Sequence, residues 1–154
     1  MPDVDENANK LHLIPTGLIY IHLPPGSPMP VLPWRRSRVV VVVEAEASRE
    51  WQMLVSKWII DLGCLYMMAW GIDCTSWDDS VDIAHLEKYD YDHTKIPEDE
   101  FVITTWHDDE TLSEVFYYAK YEFSHPDFEL DRTIILDIAK NNRSTQILQQ
   151  YVDR

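Results

Sequence analysis

Apolar runs alternate with amphipathic stretches along the last three quarters of this 154-residue chain. The first run, over 39–43, consists of five consecutive valines. A continuous run of β-branched residues predicts a strand that is buried on both faces, which is typical of a parallel sheet covered by helices. Similar runs predict three further strands over 64–70, 101–106 and 133–138.

The stretches between these runs have the spacing of amphipathic helices. Ser48 is suited to cap the first of them, because its hydroxyl can accept from a free backbone N–H. Its apolar residues recur every three or four positions, at Trp51, Leu54, Val55, Trp58, Ile59 and Leu62. Further helices are predicted to begin near residues 76, 108 and 144. The resulting order, βαβαβαβα, predicts an α/β fold, a Rossmann-like three-layer sandwich with a mainly parallel sheet of about four strands.

The first quarter of the chain has a different composition. Residues 18–23 are apolar and predict a short strand, which would add an N-terminal edge to the sheet. Five prolines then fall within 24–33 and exclude a helix or a central strand there, because proline lacks the N–H and restricts φ. We therefore predict an N-terminal extension with a stiff, proline-rich connector over 1–38 and an α/β domain over 39–154.

The net charge and the lengths of the apolar runs limit the partners and the location that are expected for the protein. A net charge of −14 argues against nucleic acid or an anionic membrane surface as the main partner, because both would be repelled. No apolar run reaches 18 residues and the first residues lack a basic, then apolar, signal pattern, so the expected location is the cytoplasm. Two cysteines are too few for a disulfide scaffold.

Phosphate-binding motifs are not found in the sequence. The chain has four glycines, and none lies between the valine run and the helix that follows it. Both the dinucleotide fingerprint and the P-loop need glycine there, so that the backbone can approach a phosphate closely. No cofactor is therefore expected.

Side chains that could support catalysis follow the predicted strands, whose carboxyl ends meet at one edge of a parallel sheet. Cys74 and His107 could act as nucleophile and base, and Glu44 is a second candidate base. Asp73 and Asp108 could bind Mg²⁺ or Mn²⁺ through oxygen. Lys140 could contact an anion. Packing and acids in first helical turns are the favoured explanation of these residues, so a small enzyme or a nucleotide- or metal-binding domain is the alternative hypothesis.

An acidic and aromatic region is the basis of the leading hypothesis. Residues 71–110 contain 13 acidic and two basic side chains. Tyrosine and tryptophan are common anchors at interfaces, and a negative field attracts a basic partner. We predict a non-enzymatic domain that binds a basic protein, for example as an immunity or accessory protein. The alternative interpretation is an acidic face that is only solvated and binds no partner. The predicted interaction residues are Trp77, Asp78, Asp79, Asp82, Tyr89, Tyr91 and His107.

Three segments resemble an uncharacterised bacterial domain family of unknown function. They are 64–82 (CLYMMAWGIDCTSWDDSVD), 101–108 (FVITTWHD) and 114–117 (EVFY). The resemblance covers about 36–152. It implies a bacterial or phage origin, and it implies no activity and no site residues.

Overall fold

A computed structural model describes residues 11–13, 17–122 and 124–154 of the chain. Its six strands form one sheet in the order β1-β2-β6-β3-β4-β5. The strands are β1 (Leu11–Leu13), β2 (Leu18–His22), β3 (Ser37–Val43), β4 (Cys64–Gly71), β5 (Ile103–His107) and β6 (Arg132–Ile138). Strands β2 to β6 run parallel, and β1 pairs antiparallel with β2.

Within the described residues, four α-helices cover the sheet as two outer layers. They are α1 (Arg49–Asp61), α2 (Cys74–Lys88), α3 (Leu112–Tyr121) and α4 (Ser144–Val152). Helices α1 and α2 pack on one face, and α3 and α4 pack on the other. The predicted α/β sandwich is thus confirmed, and the strand predicted at the N-terminal edge lies in the sheet as β2, where it adds a fifth parallel strand beside β6.

The valine strand lies at the centre of this sandwich. Val39, Val41 and Val43 contact the layer of α1 and α2, while Val40 and Val42 contact the layer of α3 and α4. All five are buried, as the unbroken β-branched run predicts. Helix α1 begins where Ser48 accepts from the Trp51 N–H at 3.2 Å, the predicted cap.

The proline-rich connector from β2 to β3 packs along α1. The indole Nε1 of Trp51 donates to the Ser27 carbonyl at 2.8 Å, and that of Trp58 donates to the Pro30 carbonyl at 2.9 Å. Arg132, the first residue of β6, donates to the Pro33 carbonyl at 2.9 Å. These bonds join residues on the two sides of the boundary predicted near residue 38, which itself stays a prediction.

The chain adds β4 and β5 on one side of β3 and then places β6 on the other side of β3. From β3 it moves outward to β4 and β5 through α1 and α2, and α3 then crosses the other face to bring β6 back beside β3. The carboxyl ends of these two strands diverge to helices on opposite faces, which leaves a crevice between them. Among the described residues, no helix is long and apolar enough to cross a membrane.

Candidate functional site

A crevice of about 690 Å³ opens at the carboxyl ends of β3 and β6. We call it the switch-point crevice, and its charged and polar walls comprise Glu44, Glu46, Lys140, Asn141 and Arg143. The structure thus brings together Glu44 and Lys140, which follow strands more than 90 residues apart in the chain. Their proximity requires β6 to lie beside β3.

A buried ion pair holds one wall of the crevice. Arg143 Nη2 donates to Asp137 Oδ1 at 2.6 Å, and its Nε donates to Oδ2 at 3.2 Å. Asp137 is fully buried in β6 and also accepts from the Tyr20 hydroxyl at 2.5 Å. The remaining terminal nitrogen of Arg143 lies 3.4 Å from Glu44 Oε1, at the mouth of the crevice.

The electrostatics of this network follow from burial and charge. Burial by itself lowers the pKa of Arg143, but Asp137 and Glu44 outweigh it, so the pKa is raised and the guanidinium stays charged. Burial and the hydrogen bond to Asp137 raise the pKa of Tyr20, so its hydroxyl stays protonated and donates. The sequence reasoning missed Arg143, although a cation six positions after an aspartate within an apolar strand was a usable signal.

A second group of polar residues lies near the β5 edge of the sheet, where α2 packs beside β5. Asp79 and Asp82 are exposed on α2, and Asp82 accepts from the Thr104 hydroxyl of β5 at 2.9 Å. Partial desolvation beside β5 raises the pKa of the Asp82 carboxyl, and the Asp79 carboxylate adds to the rise. Tyr91 is exposed beyond the end of α2, and Tyr89 is half-buried with its hydroxyl donating to Glu100.

Three of the predicted interaction residues are buried, so the folded domain does not present them at its surface. Trp77 is 2% exposed and packs edge-on against Trp51 in the core. Asp78 is a buried residue of α2, and burial raises its pKa. His107 is buried at the end of β5, where its ring bonds Glu110 at 2.9 Å and Thr105 at 2.8 Å. A partner at the surface cannot reach these side chains without unfolding part of the domain.

The surroundings of the predicted nucleophile and metal ligands do not favour those roles. Cys74 is buried, and burial raises the pKa of its thiol, which is the opposite of the activation that a nucleophile needs. Within the described part of the chain, no three His, Cys, Asp or Glu side chains are grouped so that they could hold a metal ion. Asp73 and Asp108 are exposed, in the loops that follow β4 and β5.

Acidic segments flank strand β5 in the chain, and the acidic side chain of Asp82 on α2 contacts it. We define the acidic edge as β5, the α2 residues Asp79 and Asp82, and the acidic segments 98–100 and 108–110. Phe101 and Trp106 add two aromatic side chains that are about half exposed. The two lysines of 71–110 are already engaged, since Lys95 pairs with Asp90, and Lys88 lies near Asp61 and Glu100. The acidic edge therefore retains a strong negative potential.

Comparison with known proteins places the chain in a family without assigning it an activity. No curated protein and no solved structure matches the chain. One family model, described as a domain of unknown function (DUF7684), matches residues 18–154. The match begins at β2 and includes both the switch-point crevice and the acidic edge. The chain therefore belongs to the DUF7684 family of domains of unknown function.

Proposed function

We propose that this chain is a non-enzymatic interaction domain whose acidic edge binds a basic protein partner. The observation that carries the proposal is an excess of exposed carboxylates without cations to neutralise them. Among the described residues, Asp79, Asp99 and Asp109 are exposed and form no ion pair. An immunity or accessory protein in the bacterial cytoplasm is one concrete version of this role.

The physical advantage of such a surface is fast and selective association. A concentrated negative field attracts a basic protein over a Debye length of about 8 Å at physiological ionic strength. It also disfavours acidic competitors, which like-charge repulsion excludes. Exposed aromatic side chains such as Trp106 and Tyr91 can then supply apolar contact area once the partner has docked.

Reversing two charges on α2 is expected to weaken this binding about tenfold, or about 1.4 kcal/mol. The variant is Asp79→Lys with Asp82→Lys, and it leaves the buried Asp78 intact because reversal there would disturb the fold. The measurement is capture of partners from native lysate, followed by titration of the captured protein. Binding of the unaltered chain should also fall as salt rises.

The control variant is Asp127→Lys with Glu129→Lys, which changes the net charge equally in an exposed loop that precedes β6. It should keep its partners if binding depends on the acidic edge rather than on overall charge. Recovery of the same partners, in the same amounts, by the α2 variant and the unaltered chain would end the proposal.

Small-ligand binding in the switch-point crevice is the second candidate function. One observation favours it: a fully buried Asp137 fixes Arg143 at the wall of a crevice, at the place in the fold where ligands of open parallel sheets bind. Glu44 would then act as a base and Lys140 would contact an anionic group. Trp70 and Trp106 do not line the crevice, which remains open to a ligand.

A thermal-shift panel of divalent cations, nucleotides and cyclic dinucleotides tests this second function. A ligand at 100 times its Kd adds about 2.7 kcal/mol, which raises the Tm of a domain of this size by about 5–11 °C. The shift should disappear in Glu44→Ala and persist in Asp79→Ala, which lies on α2 away from the crevice. A panel without any shift would exclude these ligand classes.

A further inference from the structure

At the β5 edge of the sheet, the described part of the chain supplies no neighbouring strand. Strand β5 is last in the sheet order and pairs only with β4 among the described residues. Alternate residues of an edge strand direct their N–H and C=O groups away from the sheet. Five residues from Ile103 to His107 therefore present a backbone pattern that an added strand can pair with.

This edge carries little of the protection that natural edge strands usually have. Charged residues and proline are the common devices that prevent unwanted pairing, and β5 contains no Lys, Arg, Asp, Glu or Pro. Its sequence, Ile-Thr-Thr-Trp-His, is instead rich in residues that favour strands. Trp106 is 49% exposed on the α2 side of this strand and could anchor an incoming side chain.

The charges at the two ends of β5 select the occupant. Glu98, Asp99 and Glu100 precede the strand, and Asp108, Asp109 and Glu110 follow it. A second copy of this chain that paired through β5 would place acidic segments against acidic segments in either orientation, so self-association there is opposed. A segment with basic residues at both ends of an apolar or threonine-rich centre would be complementary to both flanks.

The geometry points to strand addition: an extended segment of the partner, with basic ends, pairs with the free edge of β5 and extends the sheet by one strand. This inference rests on the proposed function, because it describes how the basic partner would bind the acidic edge. It adds a requirement for backbone hydrogen bonds, which attraction between charges alone does not have.

The experiment uses the full chain and three synthetic nine-residue amides. The first has the centre Val-Thr-Val-Thr-Val with two lysines at each end, and the second replaces the lysines with glutamates. The third keeps the lysines and carries N-methyl groups on all five central amides, which removes its backbone donors but keeps its charge. Fluorescence anisotropy measures binding, and amide exchange by NMR follows residues 103–107.

The lysine peptide should bind, the glutamate peptide should not, and the N-methylated peptide should bind at least tenfold more weakly than the lysine peptide. Amide exchange in β5 should slow when the lysine peptide is bound. Trp106→Lys should weaken binding at least fivefold, whereas Leu54→Lys should not, although Leu54 is 55% exposed on α1 and the added charge is the same.

Two outcomes would overturn strand addition. If the N-methylated peptide binds as well as its parent, charge alone explains binding, and the basic-partner proposal stands without strand addition. If the lysine peptide binds no better than the glutamate peptide, the edge of β5 does not select basic strands. The basic-partner proposal is then decided separately by capture with the α2 charge-reversal variant.

Discussion

Replacing Asp137 with alanine is expected to lower the free energy of unfolding by about 3 kcal/mol. The carboxylate is fully buried in β6 and accepts from both Arg143 and the Tyr20 hydroxyl. Its removal leaves a partly buried guanidinium without its main counter-charge and a buried hydroxyl without its acceptor. Breaking a buried pair from one side costs more than the pair contributes, because the remaining charge loses its compensation.

Urea unfolding measures this loss, and Tyr20→Phe is the matched control. The phenylalanine removes only the hydroxyl that donates to Asp137, so a loss of about 1 kcal/mol is expected. An unchanged m-value would show that the variants alter stability rather than the extent of unfolding. A loss below about 1 kcal/mol for Asp137→Ala would mean that Arg143 reaches solvent through the crevice and does not depend on this anchor.

The periodicity of the sequence predicted the layers because it is a local property. The valine run is apolar on both faces of its strand, and the structure buries it between two helical layers. The order of strands, in contrast, depends on contacts such as that of Val42 with Asp137, which no local pattern encodes. The sequence therefore predicted that strand ends would meet, but not that β6 would lie between β2 and β3.

Because the strand order was unknown, the sequence could not show which of the candidate site residues lie together. Residues after β3 and β6 converge on the switch-point crevice, whereas His107 ends β5, two strands away from β3, and Cys74 is buried at the start of α2. The burial of Trp77 went unpredicted for a different reason. The acidic neighbours suggested a surface, but Trp77, Val81 and Ala84 recur at helical spacing and all face the core. Periodicity was the better guide at this position than local charge.

Among substitutions at the rim of the switch-point crevice that add a single methyl group, Gly71→Ala is expected to destabilise the fold most. Gly71 ends β4 with φ at +105°, a conformation that residues with a side chain rarely adopt. A Cβ there would lie 2.1 Å from the carbonyl oxygen of Val43, which belongs to the backbone of β3 and already accepts from the Ile72 N–H at 2.8 Å. Relief requires β3 and β4 to separate at their carboxyl ends.

Gly26→Ala separates backbone strain from this steric overlap. Gly26 also has a positive φ, +88°, but no atom lies within 4 Å of the position its Cβ would take. Strain alone should cost Gly26→Ala about 1–3 kcal/mol, while Gly71→Ala should lose more than 4 kcal/mol or fail to yield folded protein. Urea unfolding compares the two, with circular dichroism and limited proteolysis where no transition remains. Equal losses would mean that the β3–β4 end yields readily, and that the wall of the crevice formed by Ile72, next to Gly71, is deformable rather than fixed.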